Sequence, residues 1–108
     1  MARTITLKEL RARMDAGDAP VLIEALPAEY FRQGHLPGAL HLPHDEVTKR
    51  AASLVPDKET SIVVYCASES CRNSHAAAAS FEALGYRDVA VYAGGKKDWE
   101  EAGLSLET

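Results

Sequence analysis

The sequence has few cysteines and lacks a long apolar run. Its two cysteines, Cys66 and Cys71, lie too close together to form the disulfide framework of a small secreted protein. No stretch approaches the roughly 20 apolar residues that a membrane span needs. The N-terminus also lacks the charged-then-apolar pattern of a secretory signal. We therefore expect a protein of the reducing cytoplasm, where cysteines more often serve chemistry than structure.

The sequence also lacks an excess of positive charge. Its 16 acidic and 12 basic residues leave a formal net charge of −4. Nucleic acids and anionic membranes are bound by basic surfaces, so we expect neither as a partner. With 108 residues, 46% of them hydrophobic, the chain is long enough to bury a core, and we expect one domain over residues 1–108.

Short apolar runs alternate with helix-length segments along the chain. A capping-box pattern at Thr6 and Glu9 predicts the start of the first helix. Helices are predicted from Leu7 to about Asp15, from Pro27 to Gly34, between Pro43 and Pro56, from Ser74 to Leu84, and from Lys96 to Ala102. Strands are predicted at Val21–Ile23, Ala39–Leu42, Ser61–Tyr65 and Val89–Tyr92. This alternation predicts one α/β domain with a mainly parallel sheet and helices on both faces.

Cys66 directly follows the strongest predicted strand, and a helix is predicted to begin near Asn73 or Ser74. In open α/β sheets, ligands bind beyond the carboxyl ends of the strands. The free N–H groups and the positive end of the helix dipole would face the connecting loop. We therefore expect the pKa of Cys66 to lie below the ~8.5 of a free cysteine. The alternative is that Cys66 is a small apolar side chain at the end of a strand.

The loop after Cys66 is polar and contains no glycine. Its small residues allow the backbone N–H groups to point inward and form an anion-binding concavity. Arg72 adds a fixed positive charge where the loop ends. The candidate binding loop consists of Ala67, Ser68, Glu69, Ser70, Cys71 and Arg72.

Three segments resemble rhodanese-type sulfurtransferase domains, in the order and spacing of that family. The segment "GHLPGA" matches the family's G-H-[IL]-P-G-A motif, and "VLIEALPAEYFRQGH" resembles the strand and acidic helix that precede it. The segment "VYAGGKKDWEEAGL" resembles the family's closing G-G-x-x-x-W-x-x-A-G motif. The resemblance covers nearly the whole chain and implies a five-stranded parallel sheet flanked by helices.

The resemblance implies a specific chemistry. The thiolate of Cys66 would take a sulfane sulfur from a donor such as thiosulfate, form a persulfide, and pass the sulfur to cyanide or a thiol. Residues 67–72 would bind the persulfide through their N–H groups, which is nucleophilic catalysis by an activated cysteine. The implied partners are the small donor and acceptor, and a sulfur-relay protein. No cofactor is implied.

Two departures from the family pattern keep other functions open. The family's Asp-x-Arg after the second strand is Glu24-Ala25-Leu26 here, so the arginine is replaced by Leu26. Cys66 and Arg72 form C-x5-R, the spacing with which tyrosine phosphatases hold phosphate. A rhodanese-fold phosphatase or arsenate reductase is therefore an alternative, with Glu69 as the candidate acid, although Tyr65 replaces the usual histidine. A non-catalytic rhodanese-like binding module is a further alternative.

Cys71 has one functional and one structural interpretation. As a resolving thiol, it would attack the Cys66 persulfide, release sulfide and form a Cys66–Cys71 disulfide; alternatively, it packs beneath the start of the helix. Cys66, Cys71 and His75 also form a C-x4-C-x3-H pattern. Structural zinc sites take four ligands, and no fourth is nearby in the sequence, so we expect no metal.

The remaining motif residues have structural interpretations. His35 is expected to make a hydrogen bond that fixes the fold, and Trp99 is expected to pack in the core. Gly94-Gly95 predicts a tight turn between the last strand and helix, close to the mouth of the site. Lys96 and Lys97 are expected to be solvated surface charges.

Overall fold

The computed structural model describes residues 2–108, which form a mixed α/β fold. The strands are β1 (Arg3–Thr4), β2 (Val21–Glu24), β3 (Leu40–His41), β4 (Ser61–Tyr65) and β5 (Asp88–Tyr92). The helices are α1 (Leu7–Asp15), α2 (Ala28–Gln33), α3 (Val47–Leu54), α4 (Asn73–Ala83) and α5 (Gly95–Glu101), and a short 3-10 turn (His44–Glu46) precedes α3. In the part of the chain described, no helix has the length and apolar character needed to cross a membrane.

All pairs of neighbouring strands are parallel, in the order β1-β5-β4-β2-β3. The predicted α/β fold with a parallel sheet is therefore confirmed. The third strand is shorter than predicted, since only Leu40–His41 pairs with β2. The pattern of residues did not predict β1, because Arg3 and Thr4 are both exposed and form a strand only by pairing with Ala90 and Val91 of β5.

The sheet is covered by helices on both faces, as the alternation of side chains in β4 requires. Ile62 and Val64 point to one face, where they pack in a cluster with the apolar side of α3 and α4, including Phe81. Val63 and Tyr65 point to the other face and pack with α1 and α5 in the second cluster. Because β4 is central and buried on both faces, its carboxyl end holds the next residue, Cys66, in a fixed position.

Local signals at the ends of the elements are also confirmed. The Thr6 hydroxyl accepts a hydrogen bond from the Glu9 N–H, and the Glu9 carboxylate accepts one from the Thr6 N–H, which completes the capping box of α1. Trp99 is 3% exposed in the second cluster, and its indole N–H donates to the Ser105 carbonyl. His35 contacts the carbonyl of Phe31 through Nδ1 at 3.0 Å and stacks on the Phe31 ring, so its expected structural role is confirmed.

Candidate active site

Cys66 lies where β4 ends, and α4 begins at Asn73 on the far side of a short loop. Residues 66–72 are called the Cys66 loop below. The Cys66 side chain is 1% exposed, so its sulfur is almost completely shielded from solvent. The structure therefore places the predicted nucleophile at the carboxyl edge of the sheet, at the N-terminus of a helix, as the sequence indicated.

The Cys66 sulfur has polar neighbours from both ends of the loop. The thiol donates a long hydrogen bond to the Cys71 carbonyl, with 3.5 Å between Sγ and O. The hydroxyl oxygen of Ser74, in the first turn of α4, lies 3.4 Å from Sγ. Ser74 is itself 1% exposed, so its hydroxyl is buried beside the Cys66 sulfur and does not face solvent. Ser74 was not among the predicted site residues, although its position at the start of the predicted helix was a usable signal.

The predicted lowering of the Cys66 pKa is wrong for this conformation. Burial raises the pKa of the Cys66 thiol, and interaction with the Cys71 side chain raises the pKa further. The hydroxyl and backbone N–H of Ser74 act in the opposite direction because they stabilise the thiolate, but their effect on the pKa is smaller. Desolvation depends on how closely the loop closes over the sulfur, which the sequence alone does not reveal.

The rest of the Cys66 loop faces solvent. The Cys71 N–H donates to the Ser68 carbonyl, and the Ser68 and Ser70 hydroxyl oxygens are 3.1 Å apart, which holds the loop in a tight turn. Glu69 and Arg72 are exposed, and Arg72 forms no ion pair within residues 2–108.

Both cysteines are free thiols. Cys66 is buried and Cys71 is partly exposed. The residues that the structure describes contain no group of three or more His, Cys, Asp and Glu side chains arranged to hold a metal ion, and His75 is half-buried on α4. The zinc interpretation therefore finds no geometric support among these residues.

The first turn of α5 holds the beginning of the Cys66 loop through the backbone. The Lys96 N–H donates to the Cys66 carbonyl at 3.0 Å, and the Lys97 N–H donates to the Ala67 carbonyl at 2.9 Å. Gly95 makes this approach possible: its φ is +63°, and a Cβ at this position would lie 2.3 Å from the Cys66 carbonyl oxygen. The predicted Gly94-Gly95 turn is thus confirmed, and it contacts the predicted nucleophile directly.

A buried ion pair joins α5 to the end of β2. The Glu24 side chain is 0% exposed, and its Oε2 lies 2.9 Å from the Lys96 ammonium, whose side chain is 12% exposed. Lys96 also donates to the Tyr30 carbonyl at 2.7 Å. The expectation that Lys96 is a solvated charge is therefore wrong, because a fully buried carboxylate requires a cation within contact distance. Lys97 is exposed, as expected.

The other oxygen of Glu24 connects the ion pair to the "GHLPGA" segment. The Tyr65 hydroxyl donates to Glu24 Oε1 at 2.8 Å and accepts a hydrogen bond from the Leu36 N–H at 3.0 Å. Burial raises the pKa of Tyr65, and the charge of Glu24 raises it further, so the phenol remains a hydrogen-bond donor. A charge network therefore links β2 to the site even though Leu26 stands where the family pattern has arginine.

Several clefts among the described residues border the Cys66 loop, and Lys97 also lines two of them. The first, called the Ser68 cleft, has a volume of about 280 Å³ and is lined by Ser68, Glu69, Ser70, Gly94, Lys97, Asp98 and Glu101. The second, called the Tyr30 cleft, has a volume of about 320 Å³ and is lined by Leu26, Tyr30, Gln33, Gly34, Ala67, Lys96, Lys97, Glu100 and Leu106. The loop is thus accessible from a polar side and from a side with an apolar wall.

Replacing Gly95 with alanine is expected to disturb both stability and the Cys66 loop. Gly103 provides a matched control, since its φ is +83° but a Cβ there would contact nothing within 4 Å. In Gly103→Ala, the free energy of unfolding should fall by roughly 1–2 kcal/mol, because alanine is strained in the left-handed conformation. In Gly95→Ala, the free energy of unfolding should fall by about 1–3 kcal/mol more, because the new Cβ clashes with the Cys66 carbonyl. The alkylation rate of Cys66 should also change. Equal denaturation midpoints and equal alkylation rates for the two variants would contradict this assignment.

Removing the Lys96 ammonium is expected to destabilise the fold strongly. Lys96→Met leaves the Glu24 carboxylate buried and unpaired, which costs roughly 3–5 kcal/mol in the free energy of unfolding. Lys97→Met, at an exposed neighbour, should change stability by no more than about 0.5 kcal/mol. The double variant Glu24→Gln/Lys96→Met should be more stable than Lys96→Met alone. Urea unfolding of the wild type, these three variants and Glu24→Gln alone tests this, and additive effects of Glu24→Gln and Lys96→Met would exclude the ion pair as the cause.

The alkylation rate of Cys66 is expected to rise only at pH values higher than those at which a free cysteine becomes reactive. Since burial raises the pKa of the thiol, the thiolate forms only as the pH passes above the ~8.5 of a free cysteine. The measurement is the rate of modification by iodoacetamide against pH in Cys71→Ser, where Cys66 is the one remaining cysteine. Denatured protein provides the reference midpoint. A midpoint at or below that reference would mean that Ser74 and the helix N-terminus outweigh burial.

Comparison with proteins of known sequence gives relatives whose names describe different functions. Thiosulfate sulfurtransferase PspE of Escherichia coli (strain K12) is 38% identical over 76 residues, which cover 70% of this chain and 70% of that protein. An HTH-type transcriptional regulator of Mycobacterium tuberculosis is 34% identical over 103 residues, which cover 95% of this chain and 44% of that protein. A Bacillus subtilis protein whose name describes it as a sulfur carrier is 28% identical, and the match covers 88% of this chain and 49% of that protein. The chain thus spans about half the length of the last two relatives.

Comparison with solved structures supports the α/β fold, and a match to a family model shows which protein family the chain belongs to. The crystal structure of the BH2092 protein from Bacillus halodurans superposes with a TM-score of 0.85 at 23% identity, covering 98% of this chain and 77% of that one. The family model described as "Rhodanese-like domain" matches residues 6–102, nearly the whole of the chain. The chain belongs to the rhodanese-like domain family.

Proposed function

We propose that this protein is a sulfurtransferase that carries a sulfane sulfur as a persulfide on Cys66. The observation that supports this most directly is the position of the Cys66 sulfur, buried at the N-terminus of α4 and 3.4 Å from the Ser74 hydroxyl. A negative charge on this sulfur, or on a second sulfur bonded to it, is stabilised by the free N–H groups and dipole of the helix. The PspE relative, named a thiosulfate sulfurtransferase, gives independent support.

The proposed reaction has two displacement steps. The Cys66 thiolate attacks the outer sulfur of thiosulfate, the sulfur–sulfur bond of thiosulfate breaks, and sulfite leaves with the electron pair. A thiolate or cyanide then attacks the outer sulfur of the persulfide, and the Cys66 thiolate leaves. Neither step needs an oxidant, a metal or an organic cofactor. Sulfite, the leaving group of the first step, has a low pKa, which favours that step of sulfur exchange.

The protein's own groups hold the reacting sulfur in one place. The Lys96 and Lys97 N–H groups fix the carbonyls of Cys66 and Ala67, so the backbone at the nucleophile cannot turn away from α4. Ser74 then provides a hydroxyl at the sulfur. Because burial raises the pKa of Cys66, the resting thiol is protonated, and the first step depends on loss of that proton to solvent. The rate of persulfide formation should therefore increase with pH.

The substrate-binding loop and the second thiol belong to the same proposal. Residues 67–72, namely Ala67, Ser68, Glu69, Ser70, Cys71 and Arg72, surround the persulfide, and the exposed Arg72 attracts anionic donors. Cys71 is a resolving thiol: its thiolate attacks the inner sulfur of the persulfide, hydrosulfide leaves, and a Cys66–Cys71 disulfide forms. Its carbonyl already contacts Sγ at 3.5 Å, and the partly exposed side chain can approach by a change within the loop. A thiol acceptor on a sulfur-relay protein would compete with this release.

The decisive experiment is intact-protein mass spectrometry after the reduced protein is incubated with thiosulfate. The wild type should gain the mass of one sulfur atom, mapped to Cys66 and removed by added thiol. Cys66→Ser should gain none. Cys71→Ser should gain the sulfur and retain it longer, because internal release of sulfide is blocked.

The same experiment separates the proposal from its alternatives. Sulfur gain in Cys66→Ser would refute the assignment of the nucleophile. An unmodified wild type that stays folded, with Cys66 open to alkylation, would refute sulfur transfer from thiosulfate and direct attention to phosphate esters and arsenate. Equal persulfide lifetimes in wild type and Cys71→Ser would remove the resolving role of Cys71 without affecting that of Cys66.

A further inference from the structure

The Tyr30 cleft meets the Cys66 loop at Ala67, the residue that follows the proposed nucleophile. Its position is fixed by the same backbone contacts that hold the loop, since the first residues of α5 both line the cleft and bind the Cys66 and Ala67 carbonyls. The lining also contains three large apolar side chains, those of Leu26, Tyr30 and Leu106, which are together called the apolar wall. Proposed donors and acceptors such as thiosulfate and cyanide contain nothing that would use this wall.

The apolar wall is partly open to solvent. Tyr30 is 43% exposed, and it is one of two large hydrophobic side chains of the described residues that remain exposed. Leu106 is held over the cleft by a bridge between His35 and Glu107, whose N–H groups and carbonyls are paired at 2.8 Å in both directions. A ligand that covered Tyr30 and Leu106 would gain free energy by removing apolar surface from water.

The charges around the Tyr30 cleft balance. Lys96 is neutralised by the buried Glu24, and the exposed Lys97 and Glu100 have opposite signs. The cleft therefore has no net formal charge with which to select a dianion. Its volume of about 320 Å³ leaves room for a small organic body.

From this geometry we infer that the Tyr30 cleft binds the organic body of the sulfur acceptor, and that this acceptor is an uncharged thiol with an apolar chain. The inference rests on the proposed function, because it names the acceptor class for the Cys66 persulfide. The acceptor thiolate attacks the outer persulfide sulfur, an organic hydropersulfide forms, and the Cys66 thiolate leaves. The cleft acts by holding the chain of the acceptor beside the loop, which lowers the concentration of thiol needed.

The test uses Cys66 persulfide prepared with thiosulfate and a series of acceptors: ethanethiol, propanethiol, butanethiol and cyanide. The three thiols have nearly equal thiol pKa values, so they differ in apolar chain length and hardly in nucleophilicity. The measurement is the acceptor-dependent loss of persulfide by quenched intact mass, after subtraction of the loss without acceptor. The second-order rate constant should rise about two- to fourfold with each added methylene, the factor expected for partial to full burial of that group.

Variants locate the effect. Tyr30→Ser and Leu106→Ser should flatten the dependence on chain length, with each variant's thiol rates expressed relative to its own cyanide rate. Leu40→Ser is the matched control, since Leu40 is the other exposed large hydrophobic residue, 36% exposed, and does not line the cleft. Leu40→Ser should retain the full dependence.

Each outcome decides between the two proposals. Transfer to cyanide and to all three thiols at rates independent of chain length would overturn the inference and leave the proposed function intact. A chain-length dependence that survives in Tyr30→Ser and Leu106→Ser would also overturn it, since the chain would then bind elsewhere. Failure of the protein to form a persulfide, or to pass sulfur to any acceptor including cyanide, would overturn the proposed function and the inference together.

Discussion

A carboxylate that is completely removed from solvent sets the arrangement of the site. Glu24 ends β2 inside the protein, and its charge is tolerated because the Lys96 ammonium lies 2.9 Å away. That requirement brings the first turn of α5 against the carboxyl edge of the sheet. Once α5 is there, its backbone N–H groups reach the Cys66 carbonyl, and Gly95 must lack a side chain. The backbone of Cys66, which β4 places at the edge of the sheet, is therefore held by a helix whose own position depends on pairing a buried charge.

The environment of Cys66 combines two opposing effects on the thiol. The helix N-terminus and Ser74 favour a negative charge on sulfur, while near-complete burial disfavours it. Burial prevails in the resting protein, so the thiol is held protonated.

Local sequence signals predicted the elements whose geometry is local. The capping box at Thr6, the β-branched run of β4 and the helix that follows the Cys66 loop each depend on neighbouring residues, and all three lie where expected. The pairing of β1, by contrast, exists only because β5 supplies hydrogen bonds to two exposed residues. The burial of Lys96 could not be read from its neighbours either, since its partner lies on a different element. The pKa of Cys66 depends on loop closure in three dimensions, so motif and helix position alone gave the wrong direction.

The Tyr30 cleft is assembled from three separate stretches of chain, around Leu26 and Tyr30, at Ala67, and from Lys96 to Leu106. Only Ala67 among these belongs to the Cys66 loop. Substitutions at Tyr30 or Leu106 alter the wall of the cleft without entering the sheet or touching Ser74. Under the proposed function, selectivity and reactivity are encoded at different positions, so related chains can diverge in the acceptor they bind while the sulfur chemistry is unchanged.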